Sequence, residues 1–209
     1  MQTVRKETVV YGGAFNPPTL AHQAIVGACA TYAKTRGADV WLLPSASRRD
    51  KAIDTSRECR LELLEALVRD SNEEGVNMHI CTVELDRPVP TQTYDTVEEL
   101  CTSYPNRRFV WVFGTDSLVT MPHWHGGEWL YRHLPMLIVE RSGSSCPLLG
   151  ENATYLGITT GGISSTEVRR RLVAGEAYDE LVSPQIAALL AKRGACSIEK
   201  PATMSGSST

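Results

Sequence analysis

The 209-residue chain contains no apolar run long enough to cross a bilayer, so a membrane-spanning role is not expected. Its opening residues, Met1 to Glu7, carry no apolar h-region, and no secretory leader is expected. No C-x-x-C pair occurs among six scattered cysteines, Cys29, Cys59, Cys81, Cys101, Cys146 and Cys196, which removes the usual zinc and redox signatures. Spread along apolar faces, these cysteines read as small hydrophobes, and a reducing, cytoplasmic setting fits them. An excess of positive charge is also missing. With a net charge of −3, nothing suggests broad electrostatic binding of nucleic acid. There is no internal repeat, and no motif fixes an oligomeric state; a homo-oligomer is compatible with the sequence.

What is present is ordinary globular composition. A hydrophobic fraction of 42% over this length suffices for one α/β domain with a full core. Apolar runs alternate with helix-period segments. Strands are expected over 8–11, 39–43, 78–85, 108–113, 136–139 and 155–158. The first helix carries Ile25, Cys29, Tyr32 and Ala33 on one face. A second, with Leu61, Leu64, Leu67 and Val68, opens on a capping box of Thr55 and Glu58. Further helices are expected over 95–104, 164–174 and 184–193, the last with Ser183 as cap, Pro184 at its first position and Gly194 as its stop. The run Arg108-Phe109-Val110-Trp111-Val112-Phe113 is continuously apolar after its first residue, as in a strand covered on both faces. This alternation predicts a single Rossmann-like domain over 1–195 with a doubly wound, mostly parallel sheet, then a polar tail over 196–209 expected to be disordered. In such sheets ligands bind beyond the carboxyl ends of the strands. The segments 12–22, 44–51, 114–116 and 163–169 all follow expected strands and would share that edge.

Two of these segments suit phosphate. Gly12-Gly13-Ala14-Phe15-Asn16-Pro17-Pro18-Thr19-Leu20-Ala21-His22 joins the first strand to an Ala-rich helix. Its glycines allow a turn and close backbone approach, its prolines stiffen the loop, and His22 stands where the helix opens, able to donate a hydrogen bond. The second is Gly161-Gly162-Ile163-Ser164-Ser165-Thr166-Glu167-Val168-Arg169. Ser164 and Glu167 form a capping box there. Three hydroxyls flank the free first-turn amides, and Arg169 can reach back to the helix tip. Arg170 and Arg171 read as solvated charges. Either segment alone also fits an ordinary capped helix; together they favour an anion site.

These two segments resemble the paired motifs of the nucleotidyltransferase superfamily, His/Thr-x-Gly-His after the first strand and Ile-Ser-Ser-Thr-x-x-Arg late in the chain. The resemblance over residues 8–193 is to the nicotinate/nicotinamide mononucleotide adenylyltransferases. Gly114-Thr115-Asp116-Ser117-Leu118 with Trp124-His125 resembles that family's Gly-x-Asp followed by Trp. Thr93 with Asp95-Thr96 resembles its acceptor segment, and Pro44 to Lys51 its Pro-rich stretch ending in a basic residue. Five positions depart from the pattern. Thr19 replaces the first His, as in phosphopantetheine adenylyltransferases, and Ala21 replaces the Gly. Gln92 stands for the acceptor-segment Tyr, and Arg48-Arg49 for Pro-Pro.

The resemblance implies attack by a mononucleotide 5′-phosphate on the α-phosphorus of ATP, with release of pyrophosphate. Magnesium would accompany ATP with few protein ligands. The ATP side would comprise Gly12, Gly13, Ala14, Phe15, Thr19, His22, Gly114, Asp116, Ile163, Ser164, Ser165, Thr166 and Arg169. The acceptor side would comprise Asn16, Lys51, Thr93, Trp124 and Arg141, with Trp124 stacked on a pyridine ring. His22, Lys51 and Arg169 would be catalytic. Asp116 is expected to be buried, as a ribose-hydroxyl acceptor, a helix cap, or both. Arg141 reads equally as a surface charge. Trp41, Trp111 and Trp129 are read as packing, His79 and His133 as element-flanking residues, and His123-x-His125 as too sparse for zinc. Motif details of bacterial type favour nicotinate over nicotinamide mononucleotide. The competing readings are another acceptor, such as phosphopantetheine, and a non-catalytic nucleotide-binding protein.

Overall fold

The computed structural model describes residues 5–46, 53, 55–87, 92–142 and 150–193. Six strands form one wholly parallel sheet: β1 (Lys6–Gly13), β2 (Asp39–Pro44), β3 (Met78–Ile80), β4 (Arg107–Gly114), β5 (Met136–Arg141) and β6 (Ala153–Thr160), in the order β3-β2-β1-β4-β5-β6. Seven helices connect and flank them: α1 (Leu20–Lys34), α2 (Arg57–Asp70), α3 (Thr93–Ser103), α4 (Thr115–Thr120), α5 (Gly127–His133), α6 (Ser165–Ala174) and α7 (Pro184–Arg193). The single Rossmann-like domain expected from the alternation is what forms.

Strand periodicity explains the layers. Val9 and Tyr11 of β1, Val110 and Val112 of β4, and Leu137 and Val139 of β5 face one core with Ile25 of α1, Leu64 of α2, Val168 of α6 and Ile186 of α7. The alternate residues Val10, Trp111 and Ile138 face a second core with Leu100 of α3, Leu118 of α4 and Leu130 of α5. With both faces covered, the central strands have no polar face to show, so they read as continuous apolar runs.

Several boundaries differ from expectation. β3 stops after three residues, because the chain turns at 82–86 instead of continuing beside the short edge of β2. The cap of α2 is Ser56, whose Oγ accepts from the Cys59 amide at 3.2 Å; Thr55 instead donates to Asn16 Oδ1 at 2.6 Å. The buried stripe of α2 includes Leu63, Leu64 and Leu67, but also Arg60, while Leu61 is only half-buried. Ser183 caps α7 as expected, its Oγ accepting from the Ile186 amide at 3.3 Å. Gly194, the tail over 196–209 and Lys51 lie outside the described residues.

The topology sets the site. From β1 the chain moves outward to β2 and β3, then crosses back to lay β4 on the other side of β1. The carboxyl ends of β1 and β4 therefore flank the switch point of the sheet, where such folds bind ligands.

Candidate active site

The loop leaving β1 is shaped by other residues than its glycines. Gly12 and Gly13 finish the strand, paired with Leu43 and Pro44, and neither has a positive φ. At Gly13 the close approach is to Phe15, whose ring would lie 3.3 Å from an added Cβ. The turn itself is made by Phe15, at φ 46°, and by a cis Asn16–Pro17 bond. Phe15 is fully buried and packs edge-on against Tyr11, at a centroid distance of 5.4 Å. A non-glycine residue in the left-handed region is costly and persists only where its surroundings over-determine it.

His22 lies in the first turn of α1, with its ring 5.3 Å from Phe15 and 6.3 Å from Tyr11. The Thr19 amide donates to His22 Nδ1 at 3.1 Å, and Thr19 Oγ1 lies 2.8 Å from the same nitrogen. Burial, and then the charge of Arg141, lower the pKa of His22 to about 4. The imidazole is therefore neutral at pH 7. An Nδ1 that accepts from an amide leaves the ring proton on Nε2, which makes Nε2 a donor. Thr19 is 1% exposed. Its hydroxyl is committed to the histidine, whereas the sequence placed it on a phosphate.

The two phosphate-type segments meet. Gly162, at φ 76°, turns the chain past Ile163 into Ser164, the cap of α6, whose Oγ accepts from the Glu167 amide at 3.2 Å. The Glu167 carboxylate does not close the expected box; it pairs with Arg170 and Arg171, which are also tied to Glu176 and Glu180 rather than simply solvated. From the first turn, Ser165 Oγ donates to the Pro17 carbonyl at 2.8 Å. Arg169 donates to the Asn16 carbonyl at 2.5 Å and to Thr166 Oγ1 at 3.2 Å. The amino end of α6, with its partial positive charge, is thereby fastened to the β1–α1 loop.

At the end of β4, Gly114 leads directly into α4 and occupies the cap position. Asp116 thus lies in the first turn and does not cap the helix. Its side chain is 57% exposed, contrary to the expected burial, because α4 begins at the open edge of the sheet. Its Oδ1 lies 3.8 Å from Arg141 Nε, an atom shielded from solvent. Thr115 Oγ1 accepts from the Arg141 amide at 3.0 Å, fixing the end of β5 beside β4. A Cβ at Gly114 would run into the Asp116 carboxylate and come within 3.1 Å of Arg141 Nε. Arg141 accordingly faces Asp116 and acts electrostatically on His22, which is more than a surface charge does.

The acceptor candidates come from two segments that touch. Thr93 starts α3 after Gln92. Tyr94 packs edge-on against His125 and Trp129, at 5.5 and 5.7 Å between centroids, and His125 Nε2 lies 3.3 Å from Asp95 Oδ1. These contacts hold the start of α3 against the segment carrying Trp124, whose ring meets Phe113 at 6.1 Å. Trp41 and Trp111 are core residues, but Trp129 is 46% exposed. The first turn of α5 carries it to the surface, where its ring packs against Tyr94 and His133.

Arg60 was not anticipated from sequence. It is 3% exposed, and its guanidinium donates to the Ala14 carbonyl at 2.8 and 3.2 Å and to the Ser45 carbonyl at 2.5 Å. The only sequence signal is its position on the apolar stripe of α2, three residues before Leu63.

Comparison with known proteins agrees with this geometry. The cytidylyltransferase-like family model matches residues 10–171. A relative from Exiguobacterium sibiricum, named "Probable nicotinate-nucleotide adenylyltransferase", is 32% identical over 86% of this chain and 93% of its own. One of the same name from Geobacillus kaustophilus is 28% identical over 88% and 83%. Among solved structures, the Plasmodium falciparum nicotinic acid mononucleotide adenylyltransferase complexed with NaAD superposes with a TM-score of 0.73 at 21% identity, over 90% of this chain and 95% of that one, a likeness of fold. The chain belongs to the cytidylyltransferase-like family and, within it, to the nicotinate-nucleotide adenylyltransferases.

Proposed function

We propose that this protein transfers the adenylyl group of ATP to nicotinate mononucleotide, forming deamido-NAD and pyrophosphate. The observation that carries the reading is the junction of α6 with the β1–α1 loop, where Arg169 and Ser165 bond the carbonyls of Asn16 and Pro17 beside the neutral His22. A donor histidine, an arginine and a helix amino terminus converge where a triphosphate would lie across the switch point.

The nucleophile is a phosphate monoester whose second pKa is about 6, so it is largely dianionic at neutral pH and needs no strong base. One of its oxygens attacks the α-phosphorus. The bond from that phosphorus to the oxygen bridging to the β-phosphate breaks, and its electron pair leaves with pyrophosphate. The protein's task is to align two anions and offset charge on the leaving group. His22 donates through Nε2 to an α-phosphoryl oxygen, and Thr19 holds its ring. Arg169, the first-turn amides of Ser165 and Thr166, and the Ser164 cap take the β- and γ-phosphates. Lys51, between β2 and α2 in sequence, has the role at the same phosphates that the resemblance implies. The backbones of Gly12, Gly13, Ala14, Phe15, Gly114 and Ile163 line the ATP side. Asp116 accepts from a ribose hydroxyl, Trp124 stacks on the pyridine ring, and Asn16, Thr93 and Arg141 complete the acceptor side. Among the described residues no three His, Cys, Asp or Glu side chains converge as a metal site. Magnesium brought with ATP would take its ligands from phosphate oxygens and water.

Pyrophosphate release is the test, measured with ATP and, separately, nicotinate mononucleotide, nicotinamide mononucleotide and phosphopantetheine. Preferential release with nicotinate mononucleotide is expected. Preference for another acceptor replaces the substrate, and nucleotide binding without release with any of them replaces the enzyme by a binding protein.

A further inference from the structure

Arg60 is a buried cation that donates to two carbonyls on different loops. Ala14 belongs to the β1–α1 loop and Ser45 to the β2–α2 loop. The loops also meet directly, the Ser45 amide donating to the Gly13 carbonyl at 2.9 Å. Burial lowers the Arg60 pKa and the nearby Glu84 carboxylate raises it, but an arginine stays charged in either case. Glu84 is itself buried and accepts from Thr96 of α3 at 2.7 Å. Buried charge is costly unless fully bonded, so its placement between these loops calls for an explanation beyond packing.

The peptide plane supplies one. The Ala14–Phe15 bond is trans, so its carbonyl and its N–H point in opposite directions. Two donors of Arg60 draw the Ala14 carbonyl toward α2 and thereby turn the Phe15 N–H to the other side of the loop. Phe15 holds the costly left-handed conformation, so this plane needs an outside restraint.

We propose that Arg60 is a positioning residue for adenylyl transfer: its guanidinium fixes the Ala14–Phe15 peptide plane against Ser45, just past the end of β2, presenting the Phe15 amide to a nucleotide phosphate. This rests on the proposed reaction, because it assumes that phosphates lie against the β1–α1 loop. A lysine keeps the charge but not the planar fork: its one nitrogen can replace Nη2, which bonds both carbonyls, but not Nε, the second donor that fixes the Ala14 carbonyl plane.

The experiment compares Arg60→Lys with Asp39→Asn. Asp39 is a second buried charge, paired with Lys6 and Arg107 at the far ends of the strands. For each variant, thermal midpoint, ATP affinity by calorimetry and transfer rate are measured well below the melting range. Arg60→Lys should lose about 10²-fold in kcat/KM for ATP, the scale of a 1 Å misplacement, and bind ATP more weakly. Asp39→Asn should lose stability but keep both. Arg60→Lys within twofold of the parent in rate and affinity overturns the proposal, as does an equal loss in Asp39→Asn. Should Arg60→Lys not fold, Arg60→Gln, which keeps an N–H donor without the planar fork or the charge, takes its place, with the same loss expected and parental kinetics refuting the role. A parent that binds ATP but transfers nothing would refute the reaction, while the affinity comparison still decides the role of Arg60.

Discussion

His22 offers the sharpest quantitative check. Its imidazole is taken out of water by the loop and by Tyr11 and Phe15, and Arg141 adds a like charge; together they lower its pKa from 6.5 to about 4. In the unfolded chain it titrates near 6.5. Between those values the unfolded state binds more protons, so stability rises with pH through this window. The contribution is whole above about pH 6.5 and is lost as pH falls toward 4. The full shift corresponds to about 3 kcal/mol, of which about 2 kcal/mol is lost between pH 7 and pH 5. That is a large share of a typical domain's stability. Urea unfolding at these two pH values, in the parent and in His22→Asn, isolates the effect, because every other titrating group is common to both. The pH-dependent loss should be smaller by about 2 kcal/mol in the variant, and NMR titration should place the His22 pKa within about one unit of 4. A His22 pKa at or above 6.5, or the same pH dependence in both proteins, refutes the neutral-donor assignment.

Other outcomes follow from the same geometry. Thr19→Val keeps the amide on Nδ1 but loses the hydroxyl at 2.8 Å; kcat should fall about tenfold with ATP affinity little changed, on the scale of one hydrogen bond, and Thr19→Ser should restore it. Arg169→Lys retains charge but not the fork joining the Asn16 carbonyl and Thr166; kcat/KM for ATP should drop about 10- to 100-fold in steady-state assays. Gly114→Ala should displace the Asp116 and Arg141 side chains rather than backbone; calorimetry should find weaker acceptor binding with a nearly parental melting temperature. In rate assays, kcat/KM for the acceptor should rise through about pH 6 with the second phosphate ionisation and level off above it.

The sheet was legible where both faces are covered. The apolar runs of β2, β4 and β5 announce themselves because neither face meets water. β6 was read as half its length, since Thr154, Thr159 and Thr160 alternate with apolar residues at the sheet's edge. Both phosphate-type segments were legible from residue type and spacing, and the structure joins them. Its bonds, however, run from α6 side chains to loop carbonyls, which spacing does not encode. Two features were misread and a third missed for the same kind of reason. The turn was assigned to Gly12 and Gly13, yet it falls on Phe15, whose conformation is held by long-range contacts. Asp116 was read as buried because it follows an apolar strand, but that strand ends at the open edge. Arg60 was not singled out, since only the fold reveals that two loop carbonyls converge on its stripe.

The threonine in place of the first histidine of the motif can now be weighed. A histidine there was expected to bring charge to the transferring phosphoryl, which Thr19 does not. Yet His22, three residues along the same buried turn, is itself held neutral at pH 7. A second imidazole in that environment would be subject to the same desolvation and the same Arg141, and so would supply little positive charge. On the proposed reaction the charge on pyrophosphate is offset instead by Arg169 at the α6 terminus, a guanidinium that burial does not neutralise, and by Lys51. What the loop requires from position 19 is a small polar group that fixes the tautomer and plane of His22. A threonine meets that need with its amide and its hydroxyl, both on Nδ1. The exchange at position 19 is therefore consistent with the proposed reaction, in which alignment comes from His22 and charge from Arg169 and Lys51.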